Sequence, residues 1–101
     1  MQTAEFKPKN ANRYDKPTPI NSSDDIALQY PITADGALIE RITMRRPRVR
    51  DRLIAEQAKG SEVEKEIRLI ANLCELPPSY IELLDMADYV KLQECLASFL
   101  A

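Results

Sequence analysis

Hydrophobic positions along the chain follow two rhythms, one of period two and then one of helical period. Ile26, Leu28, Tyr30 and Ile32 alternate with smaller or polar residues, as a half-buried strand requires. Pro31 lacks an N–H to give to a ladder, which restricts this strand to an edge or a bulge. Thr33-Ala34-Asp35-Gly36 supplies an Asp-Gly turn, and Ala37 to Met44 returns as a second strand rich in β-branched residues. The pattern predicts a β-hairpin. Two strands alone are marginal in water, so their apolar face must lie on helices later in the chain or pair with another chain.

From Pro47 onward the apolar residues recur every three or four positions. Pro47 fits the first position of a helix and Gly60 its stop, which predicts a first helix over Pro47 to Lys59 with a narrow stripe of Val49, Leu53, Ile54 and Ala58. Ser61-Glu62-Val63-Glu64 has the spacing of a capping box, and Val63, Ile67, Ile70, Ala71 and Cys74 succeed it at helical spacing. Pro77-Pro78 ends this second helix and opens a short helical turn reaching Leu84. Asp85 fits the N-cap of a last helix from Met86 to about Leu100, with Asp88 near the positive end of its dipole. Tyr89, Leu92, Leu96, Phe99 and Leu100 mark one face of that helix, and Met86, Val90 and Cys95 widen it. The expected fold is α+β: an N-terminal β-hairpin packed on a small bundle of three to four helices, preceded by a flexible N-terminal tail.

The tail is assigned to residues 1–25 and the folded domain to 26–101, because the first stretch is polar, carries Pro8, Pro17 and Pro19, and shows neither rhythm. The alternative for the tail is a segment that folds on a partner, with Phe6, Tyr14 and Ile20 as its anchors. A chain of 101 residues with such a tail has a thin core, so stabilisation by a client or by a second copy is a natural expectation. Cys74 and Cys95 each fall on an apolar stripe and read as buried free thiols. With no histidine and no CxxC pair, no metal and no cofactor are assigned. Catalysis is not expected either: the usual general base is missing, and Gly36 and Gly60 are both used by a turn or a cap. No stretch reads as a signal peptide or approaches membrane-spanning length, which predicts a cytoplasmic protein.

Charge is close to balanced overall but uneven along the chain. Between Arg41 and Arg52 six arginines (41, 45, 46, 48, 50 and 52) face the single carboxylate of Asp51. From Ser61 onward eight carboxylates face Lys65, Arg68 and Lys91, so the second half is acidic. A basic helix start is mildly unfavourable toward the helix dipole, which argues for a docking role. One target would be phosphate, making the chain a small regulatory nucleic-acid-binding protein that uses the Arg41–Arg52 cluster. Against it stand the acidic total, the lack of aromatic residues among the arginines, and no helix-turn-helix pattern. The other target is an acidic protein surface. On that reading Arg45, Arg46, Arg48 and Arg50, with the last-helix face of Tyr89, Leu92, Leu96, Phe99 and Leu100, form the partner-binding residues.

The order of features carries a resemblance. A strand ending Tyr30-Pro31-Ile32 and an Asp35-Gly36 turn precede Ile42-Thr43-Met44-Arg45-Arg46-Pro47 and Val49-Arg50-Asp51. Glu64-x-Glu66-Ile67-x-Leu69-Ile70-Ala71-x-Leu73-Cys74, a Pro-containing break, and Leu84-Asp85-Met86-Ala87-Asp88-Tyr89 with Leu92 and Phe99 complete it. This resembles the tail assembly chaperones of Mu-like phages and prophages, from about Ile26 to Leu100. The resemblance implies a non-catalytic protein of the bacterial host cytoplasm that holds the helical, aggregation-prone tape measure protein soluble during tail morphogenesis. Tail tube subunits and a longer, frameshifted form of the chain itself are further partners it implies. It implies no cofactor and no membrane.

Overall fold

A computed structural model describes residues 23–101. Along the chain run β1 (Ser23–Ala34), β2 (Ala37–Arg45), α1 (Val49–Gln57), α2 (Glu62–Cys74), α3 (Pro78–Glu82) and α4 (Met86–Phe99). The α+β expectation of a hairpin and a small helical bundle therefore holds. Of the expected tail, residues 1–22 lie outside the described residues. Ser23, Asp24 and Asp25 belong to β1 instead, pairing with Arg45, Met44 and Thr43. Asp25 anchors this extension, because its carboxylate accepts from Arg41 Nε at 2.6 Å and from the Thr43 hydroxyl at 3.3 Å.

The hairpin turns at Asp35 and Gly36, whose φ values of 49° and 81° are the left-handed pair that a tight hairpin turn of matching twist requires. Its register is regular at both ends and broken in the middle. From Ala27 to Ile32 β1 advances five residues while β2 falls back only two, from Arg41 to Ile39. The surplus residues form a bulge that contains Pro31, as the missing N–H required.

A side chain from the far end of the chain closes this bulge. The Asp88 carboxylate accepts the backbone N–H of Gln29 at 2.8 Å and that of Tyr30 at 2.9 Å, while Lys91 Nζ lies 3.4 Å from the same carboxylate and donates to the Ala27 carbonyl at 3.2 Å. α4 thus stands in for the missing strand partner, satisfying groups that would otherwise be orphaned. Asp88 is fully buried. Burial pushes its pKa up, but the two N–H groups and Lys91 outweigh that and leave the carboxyl below its ordinary value.

One face of the hairpin supplies Ile26, Leu28, Ile42 and Met44 to a core completed by Ile70, Leu73, Ile81, Leu92 and Phe99 from the helices. α2 covers β2 and α4 covers β1, while α1 and α3 rest on α2. The capping box at the start of α2 forms as expected: Ser61 Oγ accepts from Glu64 N at 3.2 Å, and Glu64 Oε1 accepts from Ser61 N at 2.8 Å. Gly60, at φ +124°, leaves room for that carboxylate, since a Cβ there would stand 2.6 Å from Glu64 Oε1. Asp85 caps α4 through Ala87 N at 2.9 Å.

The first helix departs from expectation. It begins at Val49 with Arg48 as its N-cap, so Pro47 lies outside it, and it ends at Gln57 rather than Lys59. The cause is Asp51, whose carboxylate takes the Arg48 N–H at 2.8 Å and so fixes the cap one residue past the proline. Both thiols are free and buried, and burial drives Cys74 up to about 12 and Cys95 up to about 11. Among the described residues no helix is long and apolar enough to cross a membrane.

Candidate functional site

The junction between β2 and α1 concentrates the arginines, and the structure sorts them into two kinds. Arg45, the last residue of β2, turns inward: its Nη1 and Nη2 donate to the two Asp51 oxygens at 2.9 and 2.8 Å. With the Arg48 N–H on Oδ2, the Asp51 side chain, only 5% exposed, carries three donors. This bidentate, charge-assisted geometry welds the strand end to the helix start. Arg46, Arg48 and Arg50 are exposed, and Arg46 lies over the Phe99 ring at 5.8 Å from its centroid, which ties the junction to the end of α4.

The hydrogen bonds from Arg45 hold the Asp51 carboxyl at about 2, against the opposing effect of burial and with help from the Arg48 N–H. A pKa depressed in the folded state stabilises the fold above the ordinary carboxylate range. That contribution disappears as pH falls through the folded value. The urea midpoint of the wild-type protein is therefore expected to fall between about pH 4 and about pH 2, with Asp51→Asn showing a smaller drop over the same window. Equal drops in both proteins would remove Asp51 from the acid response.

Two depressions flank the Pro47–Arg48 segment. A basic hollow of about 660 Å³ is lined by Arg45, Arg46, Arg48 and Arg50 with Asp51 and Ile54. On the other side an open groove of about 710 Å³ runs between α1, the first half of α2 and the end of α4. Ala55, Leu69, Leu96 and Leu100 supply its apolar lining. Its α1 rim carries Arg48 and Arg52, and its α2 rim carries Glu62 and Glu66, with Lys65 lying 4.0 Å from both Glu56 and Glu62. An apolar floor between two charged rims is the chemistry that holds an amphipathic helix.

The residues expected at a binding surface are accordingly divided. Arg46, Arg48 and Arg50 come together at the hollow, and Leu96 and Leu100 reach the groove. Arg45 is committed to Asp51. Tyr89, Leu92 and Phe99 are corrected to core positions, being 9%, 0% and 4% exposed. Leu92 and Phe99 pack under the hairpin, and the Tyr89 hydroxyl donates to Glu66 Oε1, which Gln93 Nε2 also reaches at 2.9 Å. Sequence reasoning missed the α1 side of the groove. The signal for it lies in Arg52 and Glu56, which follow Val49 at steps of three and four residues along one helix side; of the expected stripe only Val49 reaches the groove, while Leu53 and Ile54 lie outside it, 57% and 48% exposed.

A family model described as phage tail assembly chaperone proteins, E, or 41 or 14, matches residues 25–101. No curated protein and no solved structure matches the chain. The matched segment begins inside β1, takes in both strands and all four helices, and contains every residue of the hollow and the groove. With most of its length inside that match, the chain belongs to the phage tail assembly chaperone family.

Proposed function

We propose that the protein holds a helical segment of the tape measure protein in the groove between α1, α2 and the end of α4, with Arg46, Arg48 and Arg50 steering acidic side chains of that client. The observation that carries the proposal is an apolar groove that adjoins an exposed arginine cluster across the shared Pro47–Arg48 segment, in a chain of the phage tail assembly chaperone family. Exposed Leu100 and half-exposed Leu96 gain by losing water contact when a client covers them, at roughly 25 cal/mol per Å² of apolar surface. The arginines add encounter rate and orientation more than affinity. The protein acts without catalysis, in the host cytoplasm, before the tail is complete. Tail tube subunits and a longer form of the chain are further partners on this reading.

Nucleic-acid binding is the weaker reading, because two of the six arginines are held by carboxylates where they stand and the chain as a whole is acidic. Arg41 pairs with Asp25 at 2.6 Å and Arg45 with Asp51 at 2.8 Å.

Co-expression with the tape measure protein tests the proposal. The soluble fraction of the client is expected to rise several-fold with the wild-type protein. It should fall back with Leu100→Asp, and with Arg46, Arg48 and Arg50 changed together to Glu, while circular dichroism of both variants stays native. Unchanged client solubility with the wild-type protein would overturn the chaperone reading for this client. Full activity of both variants would remove the groove and the arginines from it. Arg45 is excluded from the reversal because its loss would unfold the junction rather than test docking.

A further inference from the structure

Without a client, the groove leaves apolar side chains in water on both of its sides: Val49 is 88% exposed on α1 and Leu100 is 72% exposed at the end of α4. Leu53, one turn beyond Val49 on the outward side of α1, is 57% exposed. The Val49–Leu53 ridge is flanked by Arg48 and Arg52, so it is an apolar ridge with a basic border. The groove complements it with an apolar floor whose α2 rim carries Glu62 and Glu66 beside Lys65, leaving one net negative charge on that rim. Ridge and groove lie side by side on one protomer, and α1 belongs to both.

We infer that a second copy of this chain occupies the groove when no client is present, with the Val49–Leu53 ridge of each copy laid in the groove of the other. Such an arrangement closes on itself, because a two-fold axis beside α1 makes every contact twice and leaves neither groove open. It pairs Arg52 of one copy with Glu62 of its partner and returns the same pair by symmetry. Arg52 and Glu62 suit that role, with side chains 78% and 88% exposed and only long contacts within their own copy, of 3.7 Å to Glu56 and 4.0 Å to Lys65. The basic junction that leads into α1 and the acidic second half, which largely offset each other in the net charge of −2, then come together across the interface. The inference rests on reading the groove as a docking surface, and it makes the dimer the form that a client must displace.

Sedimentation equilibrium of the protein alone tests this with no client in the cell. At about 100 µM the wild-type chain is expected at twice its monomer mass of 11.5 kDa, with association weakening as salt rises. Arg52→Glu and Glu62→Arg, each creating two like-charge contacts in the dimer, are expected to weaken association about tenfold or more. The double variant carrying both changes should regain wild-type association. Leu53→Asp, at an exposed position, should give a monomer with a native circular dichroism spectrum. A wild-type chain that is monomeric throughout overturns the inference while leaving the client proposal standing. Dimers that persist in Leu53→Asp and in both charge variants also overturn it, since the contact would then lie elsewhere, at the hairpin edge or on residues 1–22. A double variant no better than the single ones would overturn the Arg52–Glu62 pairing and with it the stated geometry.

Discussion

Asp88→Ala is expected to cost about 3–5 kcal/mol of unfolding free energy, the largest effect of any single substitution at a polar side chain in this fold. The substitution strands three groups at once. The N–H groups of Gln29 and Tyr30 lose their acceptor inside the protein, and Lys91 loses the charge it lies against. Each part-buried donor that loses its partner costs up to about 1–3 kcal/mol, and β2 offers no replacement acceptor because the bulge has already turned them away from the ladder. Asp88→Asn should fall between wild type and Ala, at about 2–3 kcal/mol, because one amide oxygen can still accept while the amide nitrogen opposes a second donor. Urea denaturation at neutral pH measures all three proteins. An Ala variant within about 1 kcal/mol of wild type would mean that water replaces the carboxylate at the bulge.

Arg45→Met is expected to lose about 3 kcal/mol, and Arg45→Met combined with Asp51→Leu to recover most of it. The difference lies in the groups that remain after each change. Removing the guanidinium alone leaves a carboxylate, 5% exposed, with only the Arg48 N–H to balance it. Removing both charges leaves an apolar contact of similar bulk between the end of β2 and α1, short of one helix cap worth about 1 kcal/mol. A double-mutant cycle reads the coupling directly. Additive losses would show that the two side chains do not act as a unit, whatever their 2.8 and 2.9 Å contacts suggest.

The elements were legible because local signals set them. Alternation from Ile26, the Asp35–Gly36 turn, the Ser61–Glu64 capping box and the Asp85 cap act over a few residues, and each produced the element expected of it. One local reading failed and a second proved incomplete where a more distant contact intervened. Pro47 is suited to open a helix, yet Asp51, itself fixed by Arg45, moved the cap to Arg48. Asp88 suited the helix dipole, yet it serves a strand 58 and 59 residues earlier in sequence. Neither the inward turn of Arg45 nor the burial of Asp88 has a sequence signature, since a surface arginine and a first-turn aspartate look the same.

The candidate site was legible to a similar depth. The arginine run located the junction, and Leu96 and Leu100 located one wall of the groove. Helical spacing alone could not show which part of the α4 stripe meets the hairpin. The core takes the wide face of α4 that includes Leu92 and Phe99, and only the flank reaches the surface.

The bulge has a consequence for how the molecule comes to exist. Its closure joins β1 to α4 across nearly sixty residues, so the hairpin cannot take its final shape by local zippering from the Asp35–Gly36 turn. The turn and the regular ladders at either end can form early, but the middle of β1 waits for a side chain made much later. During synthesis a ribosome that has not yet delivered α4 holds a chain with exposed strand edges and an unfinished core. A member of a family of assembly chaperones thus passes through an interval of exposure itself, and it ends that interval only when α4 arrives.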